Sequence, residues 1–332
     1  MSPLTIAEAG HPTSLLHMPR VSVIIPCFNH GAFIDEAVDS VLRQTYRDIE
    51  IIIVDDGSDD GETREKLQTY ERPSVRVIFT SNRGASAARN TAIAHANGEY
   101  ILPLDADDLI GETYIEEAVR VMDSDGDIGI VYCEAEFFGE KTGAWDSPEY
   151  SFDSILLQNM IFCSALMRKN DLEQVGGYNI NMTSGYEDWD LLLSLIGLGR
   201  KVYRIPETLF FYRIREGSRT AKMTNSNRVA MHLKMMENHK ELYSQNLSLW
   251  AKPLLETWVS IDDYLMNSWS WRLTAPLRKG MDLFGAYTRA VRRLRRHWRG
   301  HGGGPCEERS RGKPDRQAGD FPPVPHKRLR ND

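Results

Sequence analysis

The chain has 332 residues, of which 41% are hydrophobic, 26% are charged and 9% are aromatic. This balance excludes a chain that is disordered throughout, and the lack of any run of about 20 apolar residues argues against a membrane-spanning helix. The formal net charge of −7 divides into an acidic body and a basic end, because residues 1–271 carry 24 Lys and Arg against 41 Asp and Glu, whereas residues 272–332 carry 16 against 6.

The N-terminal residues 1–19 show no hydrophobic period, and Met1–Gly10 lacks the basic and apolar regions of a secretory signal. We therefore expect 1–19 to be a loose leader and the protein to be cytoplasmic. The cysteines are widely spaced, form no CxxC pair and are predicted to be reduced structural thiols. They are Cys27, Cys133, Cys163 and Cys306.

Strands and helices are predicted to alternate over the first 133 residues. Apolar runs rich in Val and Ile are typical of buried strands, and apolar residues spaced three or four apart are typical of helices. The predicted strands are 21–26, 49–54, 75–79, 100–104 and 128–133, and the predicted helices are 33–42, 61–71, 84–96 and 112–122. This alternation predicts an α/β fold with a mainly parallel sheet and helices on both faces.

After about residue 134 the alternation ends, and an α+β second half is predicted to continue the same sheet. Its predicted strands are 165–167, 201–205 and 208–212, and its predicted helices are 151–159, 187–198 and 226–243. A Trp-rich stretch follows. Residues 300–332 contain a run of three glycines and are predicted to be disordered.

Two loops that follow predicted strands are acidic, Asp55-Asp56-Gly57-Ser58-Asp59 and Asp105-Ala106-Asp107-Asp108. In an open parallel sheet, ligands bind beyond the carboxyl ends of the strands. Carboxylates repel a phosphate group unless a cation lies between them. The two loops therefore indicate a site that combines a cation with a phosphate-bearing ligand.

Asp105 and Asp107 are the predicted ligands of a divalent metal, Mg²⁺ or Mn²⁺, since both ions prefer hard oxygen ligands. The alternative is that Asp107 or Asp108 caps a helix that starts near Leu109. One aspartate is enough for a cap, so three in four residues favour the metal.

Four other residues each allow a functional and a structural interpretation. Asp56 can accept a hydrogen bond from a pyrimidine N–H or simply belong to a turn. Arg89 can reach a diphosphate or form an ion pair with Asp56 or Asp105. Glu187 and Asp188 can be capping charges at the start of an apolar helix, or one can be a general base. The absence of GxxxxGK[ST], and of GxGxxG after the first strand, argues against ATP hydrolysis and dinucleotide redox chemistry.

Taken together, the motifs resemble glycosyltransferase family 2, a family of inverting enzymes with the GT-A fold. The matching segments are VSVIIPCFN (21–29), IIIVDDGSDD (51–60), NRGASAARN (82–90), EYILPLDADD (99–108), VGGYN (175–179) and YEDWDL (186–191). Each is degenerate alone, but the ordered set over about residues 20–215 is specific.

The resemblance implies a role for each matching residue. It assigns Pro26 and Phe28 to the nucleobase pocket, Asp56 to the base, and Arg89 to the nucleotide. Asp105 and Asp107 would form the DxD element that binds ribose and metal. Asp188 would be the general base, with Glu187 and Trp189 near the acceptor. In this order the residues assigned are Pro26, Phe28, Asp56, Arg89, Asp105, Asp107, Asp188, Glu187 and Trp189.

Arg215 departs from the family pattern. It stands in the segment Tyr212–Ser218, at a position where many family members have a histidine. An arginine cannot ligate a metal, although it can pair with phosphate. A third metal ligand from this position is therefore not expected.

The resemblance implies an inverting, metal-dependent hexosyltransferase-type enzyme that uses a UDP- or dTDP-type nucleotide sugar. The acceptor would be a glycan or lipid-linked glycan in bacterial surface polysaccharide or glycolipid synthesis. The alternatives are a nucleotidyltransferase and a non-catalytic nucleotide-sugar-binding protein. The expected domains are a leader (1–19), a GT-A catalytic domain (20–220, with a nucleotide-sugar-binding half 20–133 and an acceptor half 134–220), a helical extension (221–299) and a disordered tail (300–332).

A basic amphipathic helix is predicted within residues 272–299. Apolar residues recur there every three or four positions from Leu277 to Trp298, and eight Arg and Lys residues from Arg278 to Arg299 fill other positions. Such a helix suits the anionic inner face of a membrane, and the alternative is that it packs on the catalytic body. The acidic body and the lack of nucleic-acid motifs argue against a nucleic-acid partner.

Overall fold

The computed structural model of the protein describes residues 19–216, 223–268 and 273–274. Nearly all of the predicted leader, nearly all of the predicted basic helix within 272–299 and the whole of the predicted tail 300–332 lie outside the described residues. The chain divides into one compact unit that ends at Thr257 and a second that begins at Trp258. None of the described helices is long and apolar enough to cross a membrane.

The strands are β1 (Val21–Cys27), β2 (Ile49–Asp55), β3 (Val75–Phe79), β4 (Tyr100–Pro103), β5 (Leu109–Ile110), β6 (Ile128–Gly139), β7 (Gly143–Ala144), β8 (Leu166–Arg168) and β9 (Lys201–Ile214). The helices are α1 (Ile34–Leu42), α2 (Gly61–Gln68), α3 (Ala85–His95), α4 (Tyr114–Ser124), α5 (Phe152–Ile155), α6 (Lys169–Val175), α7 (Glu187–Gly197), α8 (Asn225–Asn238), α9 (Lys240–Gln245) and α10 (Leu247–Asn267).

The described strands form one mixed sheet in the order β3-β2-β1-β4-β8-β6-β9-β5, with β7 beside β6. The pairs β1–β2, β2–β3, β1–β4 and β6–β9 are parallel and contribute most of the paired residues. Strand β8 is antiparallel to both β4 and β6 and joins the two parallel groups. The predicted α/β fold with a mainly parallel sheet is confirmed.

The central strands form because their apolar side chains are buried on both faces of the sheet. In β1, every residue except Pro26 is buried, and β4 is buried throughout. Uninterrupted apolar runs of this kind are typical of parallel strands that helices cover on both sides. The register sets Cys27 beside Asp55 and Ile24 beside Pro103, so the loops after β1, β2 and β4 leave the sheet at the same edge.

Two of the predicted segments are divided differently in the structure. The predicted strands 201–205 and 208–212 are one strand, β9, whose pairing with β6 is irregular where Cys133 faces Ile205 and Glu134 faces Thr208. Pro206, which has no N–H to donate, lies in this irregularity. The predicted helix 226–243 is two helices, because α8 ends at Asn238 and α9 begins at Lys240.

Candidate functional site

A cleft of about 780 Å³ lies at the carboxyl ends of β1, β2 and β4 and is closed by residues from the end of β9 and the start of α8. Of the residues predicted for the donor and the metal, all six line it: Pro26, Phe28, Asp56, Arg89, Asp105 and Asp107. The described lining does not include Glu187, Asp188 or Trp189. The cleft is therefore the place where the two acidic loops meet.

The loop after β1 is tied to the loop after β2 by Asn29. Its backbone has a left-handed φ of 57°, and its side-chain oxygen accepts from the amides of Asp59 and Asp60 at 3.0 and 3.2 Å. The Asn29 amide donates to the hydroxyl of Ser58 at 3.0 Å. Asparagine tolerates this backbone region better than most residues. These bonds hold Phe28 at the mouth of the cleft.

Asp56 is almost fully buried and accepts two backbone hydrogen bonds. Its Oδ1 accepts from the amide of Arg83 at 2.9 Å, and its Oδ2 accepts from the amide of Gly84 at 2.7 Å. Gly84 is the residue before α3, where the dipole of a helix favours a negative charge. A carboxylate has about four acceptor positions, so Asp56 retains capacity for a ligand N–H.

Arg89 joins the two halves of the site from a fully buried position in α3. Its side chain is 2% exposed, and it donates to Oδ1 of Asp105 at 2.5 Å and to Oε1 of Glu187 at 3.0 Å. The guanidinium also lies over the ring of Tyr178, 5.3 Å from its centroid. Of the two ion pairs considered from the sequence, the one with Asp105 is present. The contact with Glu187 has no sequence signal, since 98 residues separate the partners.

A close approach between the backbone of Gly177 and the side chain of Asn90 fixes the position of Tyr178 against Arg89. The side chain of Asn90 accepts from the amide of Tyr178 at 2.7 Å and donates to its carbonyl at 2.8 Å. Gly177 has a φ of 72°, and a Cβ there would lie 2.5 Å from Oδ1 of Asn90. Glycine therefore suits this position, because the positive φ and the nearby Asn90 oxygen both disfavour a side chain.

The acidic loop after β4 is not a helix cap. Leu109 and Ile110 form the short strand β5, which pairs with β9, and α4 begins only at Tyr114. The capping alternative for Asp107 and Asp108 is therefore wrong.

Instead, the end of β9 holds this loop. Oδ2 of Asp107 accepts from Nε of Arg215 at 2.8 Å, and its carbonyl accepts from Nε of Arg213 at 2.8 Å. Arg215 also contacts His30 through a second guanidinium nitrogen. Burial lowers the pKa of His30, with the charges of Asp107 and Arg215 acting in opposite directions. Arg215 thus supplies the positive charge beside Asp107.

Asp108 is buried behind this loop. Its Oδ1 accepts from the amide of Arg213 at 2.9 Å, while its Oδ2 has no hydrogen-bond partner among the described residues. Burial raises the pKa of Asp108, and the charges of Asp105 and Asp107 raise it further.

Within the described residues, ligand atoms of Asp105, Asp108 and Cys163 lie within 4.8 Å of one another. This group is a poor site for Mg²⁺ or Mn²⁺, because burial raises the pKa values of both Asp108 and the Cys163 thiol, and a thiol is a soft ligand. Asp105 and Asp107 fit such an ion better. Both line the cleft, both offer hard oxygens, and Mg²⁺ needs only one or two protein carboxylates because it keeps several waters.

The predicted acceptor residues lie at the start of α7. Tyr186, directly before it, has a left-handed φ of 64°. Asp188 is half-buried, and its carboxylate accepts from the Trp189 amide at 2.8 Å and from Nδ2 of Asn159 at 3.3 Å. Trp189 is 2% exposed and donates from Nε1 to the carbonyl of Ile155 at 2.7 Å. Trp189 therefore supports the start of α7 from within the core.

Helices α8 and α9 contribute buried residues to the same core as α7, which the sequence did not indicate. The ring of His232 lies 5.0 Å from the rings of both Tyr186 and Trp189. Asn238 donates to Oδ1 of Asp190 at 2.7 Å, and Met235 is fully buried. These contacts place the first helices of the predicted extension in the same core as α7.

The comparisons with known proteins agree with the motifs. Residues 22–182 match the profile of the family described as Glycosyl transferase family 2. The chain is 34% identical over 209 residues to the Bacillus subtilis protein TuaG, whose name assigns it to teichuronic acid biosynthesis as a glycosyltransferase, and this match covers 59% of the chain and 79% of TuaG. It is 32% identical over 217 residues, or 61% of its length, to the uncharacterized Sinorhizobium fredii protein y4gI, but spans only 23% of that longer protein.

A solved structure shares the fold. The crystal structure of S. aureus TarS residues 1–349 in complex with UDP-GlcNAc aligns with a TM-score of 0.52 at 17% identity, over 69% of this chain and 75% of that 1–349 chain. At this identity the likeness concerns the fold alone. The predicted GT-A type of fold is confirmed.

The buried contact between Arg89 and Glu187 predicts a large effect on stability. In Arg89→Met, Glu187 would stay buried without its cation, and the free energy of unfolding should fall by about 3 kcal/mol or more. Urea denaturation measures this. As a control, Arg20→Met breaks an exposed pair with Asp123 and should cost less than about 1 kcal/mol. The double variant Arg89→Met/Glu187→Gln should recover part of the loss; fully additive losses would contradict the proposed coupling.

Proposed function

The chain belongs to glycosyltransferase family 2, and from this premise we propose that it is an inverting transferase that moves a sugar from a UDP- or dTDP-type donor to an acceptor hydroxyl. The observation that carries the proposal is the meeting of Asp56, Asp105 and Asp107 in one cleft at the carboxyl ends of parallel strands. The TarS complex with UDP-GlcNAc, which has the same fold, supports a nucleotide-sugar donor.

We assign the cleft to the donor. Pro26 and Phe28 would contact the nucleobase, and Asp56 would accept a hydrogen bond from it. Asp105 would bind the ribose. The main role of Arg89 would be to fix the orientation of the Asp105 carboxylate, and its contact with the nucleotide would be secondary. This assignment follows from the burial of Arg89 between two carboxylates.

Asp107, together with Asp105, would hold a divalent cation, Mg²⁺ or Mn²⁺. Such an ion supplies positive charge that stabilises the leaving diphosphate. The chain contributes the two carboxylates and the loop geometry, which Arg213 fixes through the carbonyl of Asp107.

Asp188 would act as the general base. Its carboxylate would take the proton of the acceptor hydroxyl while the acceptor oxygen attacks the anomeric carbon from the face opposite the diphosphate, which inverts the configuration. Donors from Asn159 and from the Trp189 amide orient this carboxylate. Glu187, fixed by Arg89, and Trp189, packed below, would position the acceptor side of the site.

We further propose that the acceptor is a glycan or lipid-linked glycan in surface polysaccharide or glycolipid synthesis, as the name of TuaG suggests for that relative. We also propose the domain boundaries expected from the sequence, with a catalytic domain over 20–220 and a helical extension over 221–299. The extension would bring the enzyme to the inner face of a membrane.

Exposed apolar side chains near the C-terminus support the membrane proposal. In the second unit, the described residues Trp258 and Tyr264 are 66% and 76% exposed, and Ile261 and Leu265 are more than half exposed. Tryptophan and tyrosine favour the interface of a bilayer, and the arginines of 272–299 carry charge that anionic lipids attract.

The general-base assignment predicts a separation of turnover from binding. Asp188→Asn should lower the rate of UDP-sugar turnover by roughly two to four powers of ten, because the proton acceptor is lost. Turnover is measured on a panel of UDP- and dTDP-hexoses as the release of UDP or dTDP. In calorimetry, the affinity of the variant for UDP should equal that of the native protein. The exposed Asp146→Asn is the matched control. Native turnover in Asp188→Asn would exclude this residue as the base.

Cation binding predicts that UDP affinity depends on Asp107. With Mn²⁺ present, UDP should bind the native protein at least about tenfold more tightly than after chelation with EDTA. Without the cation, three carboxylates of the cleft repel the negative charge of the diphosphate. Asp107→Asn should abolish most of this difference, whereas Asp146→Asn should preserve it. Equal affinities before and after chelation in the native protein would rule out a metal-dependent donor site.

Membrane association predicts binding that depends on basic residues and on salt. The full chain should sediment with vesicles containing anionic lipid and not with purely zwitterionic vesicles. Replacing Arg292, Arg293, Arg295 and Arg296 with Gln should weaken binding by roughly a hundredfold or more, as each charge near the surface contributes about 1 kcal/mol. Failure of the native chain to bind anionic vesicles at low salt would refute membrane association.

A further inference from the structure

Arg215 differs from the other cationic side chain of the cleft. Among the described residues that line the cleft, the arginines are Arg89 and Arg215. Arg89 is 2% exposed and committed to two carboxylates. Arg215 is 27% exposed, follows the last residue of β9 and forms an ion pair with Asp107. Of the two, only Arg215 is placed to change partner when a ligand arrives.

The guanidinium of Arg215 retains hydrogen-bonding capacity. It carries five N–H donors, and its Nε is directed to Asp107 while one other nitrogen contacts His30. The Cζ atom of Arg215 lies 5.4 Å from the centroid of the Phe33 ring, and this contact supports the side chain. The planar, positively charged guanidinium matches the oxygens of a phosphate group.

We propose that Arg215 is a diphosphate-binding residue of the donor site, and that its ion pair with Asp107 opposes cation binding at that carboxylate until the donor is present. The inference rests on the proposed function. Without a donor, Arg215 and a divalent cation compete for the same carboxylate. With a donor, Arg215 turns to the diphosphate, which carries more negative charge than one carboxylate, and Asp107 is released to the cation.

This arrangement links the two ligands. Since the donor draws Arg215 away from Asp107, UDP should strengthen Mn²⁺ binding by more than the direct attraction between the two would give, and Mn²⁺ must strengthen UDP binding by the same factor. A histidine at position 215 could itself ligate the metal. An arginine can only compete with the metal for Asp107 or favour metal binding indirectly, by binding the donor. Arg215 therefore makes cation binding conditional on the donor.

Calorimetry on the full chain tests the proposal with three titrations, which are Mn²⁺ alone, UDP alone and UDP with saturating Mn²⁺. In Arg215→Met, Mn²⁺ alone should bind about threefold to fivefold more tightly, because a partly exposed ion pair no longer competes. UDP with Mn²⁺ should bind about tenfold more weakly, because a charge-assisted contact to the diphosphate is lost. Arg204→Met removes the same charge from β9 at its pair with Glu134 and should change neither value.

The outcomes separate the two proposals. If UDP does not bind the native protein with Mn²⁺, the proposed function fails and the inference falls with it. If native protein and Arg215→Met bind UDP equally, Arg215 does not contact the diphosphate; if Mn²⁺ alone binds the variant no more tightly, there is no competition for Asp107. Melting temperatures check folding, and Arg215→Gln provides the same two comparisons should Arg215→Met be unstable.

Discussion

The site depends on one buried guanidinium. Arg89 is enclosed in the protein and joins Asp105, on the loop after β4, to Glu187, at the start of α7. A buried charge without partners is strongly unfavourable, so the three groups must keep their contacts for the fold to remain stable. Arg89 therefore ties the loop that lines the cleft to the start of the helix that carries Asp188, although the two segments are far apart in the sequence.

The same cleft contains three carboxylates, and the protein neutralises each in a different way. Asp56 accepts from two backbone amides, Asp105 pairs with the immobile Arg89, and Asp107 pairs with the partly exposed Arg215. Backbone amides cannot leave, and a fully buried arginine can leave only at great cost. Of the three, Asp107 has the partner that is easiest to displace. Asp107 is therefore the carboxylate that can bind another cation with the smallest loss of folding stability.

The sheet and the donor side of the site could be predicted from the sequence because both follow from local patterns. Buried Val and Ile runs indicate parallel strands, and parallel strands bring their following loops to one edge, so Asp56, Asp105 and Asp107 could be grouped in advance. The partners of these residues could not. The contact of Arg89 with Glu187 spans 98 positions, and it depends on how α7 docks against α3.

Local patterns also leave alternatives open where tertiary pairing decides the structure. Three aspartates before two apolar residues are compatible with a helix cap, yet Leu109 and Ile110 pair with Phe211 and Phe210 as a strand. That pairing brings the end of β9, and with it Arg213 and Arg215, to the acidic loop. The contacts of Asp107 are thus a consequence of strand register, which no spacing in the chain reveals.

The proposed acceptor side is supported by different contacts from those of the proposed donor side. The start of α7 rests on Trp189, whose ring packs edge-on against His232 of α8, and Asp190 of the same turn accepts from Asn238 at the end of α8. Substitutions in α8 can therefore shift the region around Asp188 while the loops after β1, β2 and β4 keep their own bonds. The proposed acceptor side is therefore supported by contacts with α8, whereas the proposed donor side is supported by hydrogen bonds within its own loops.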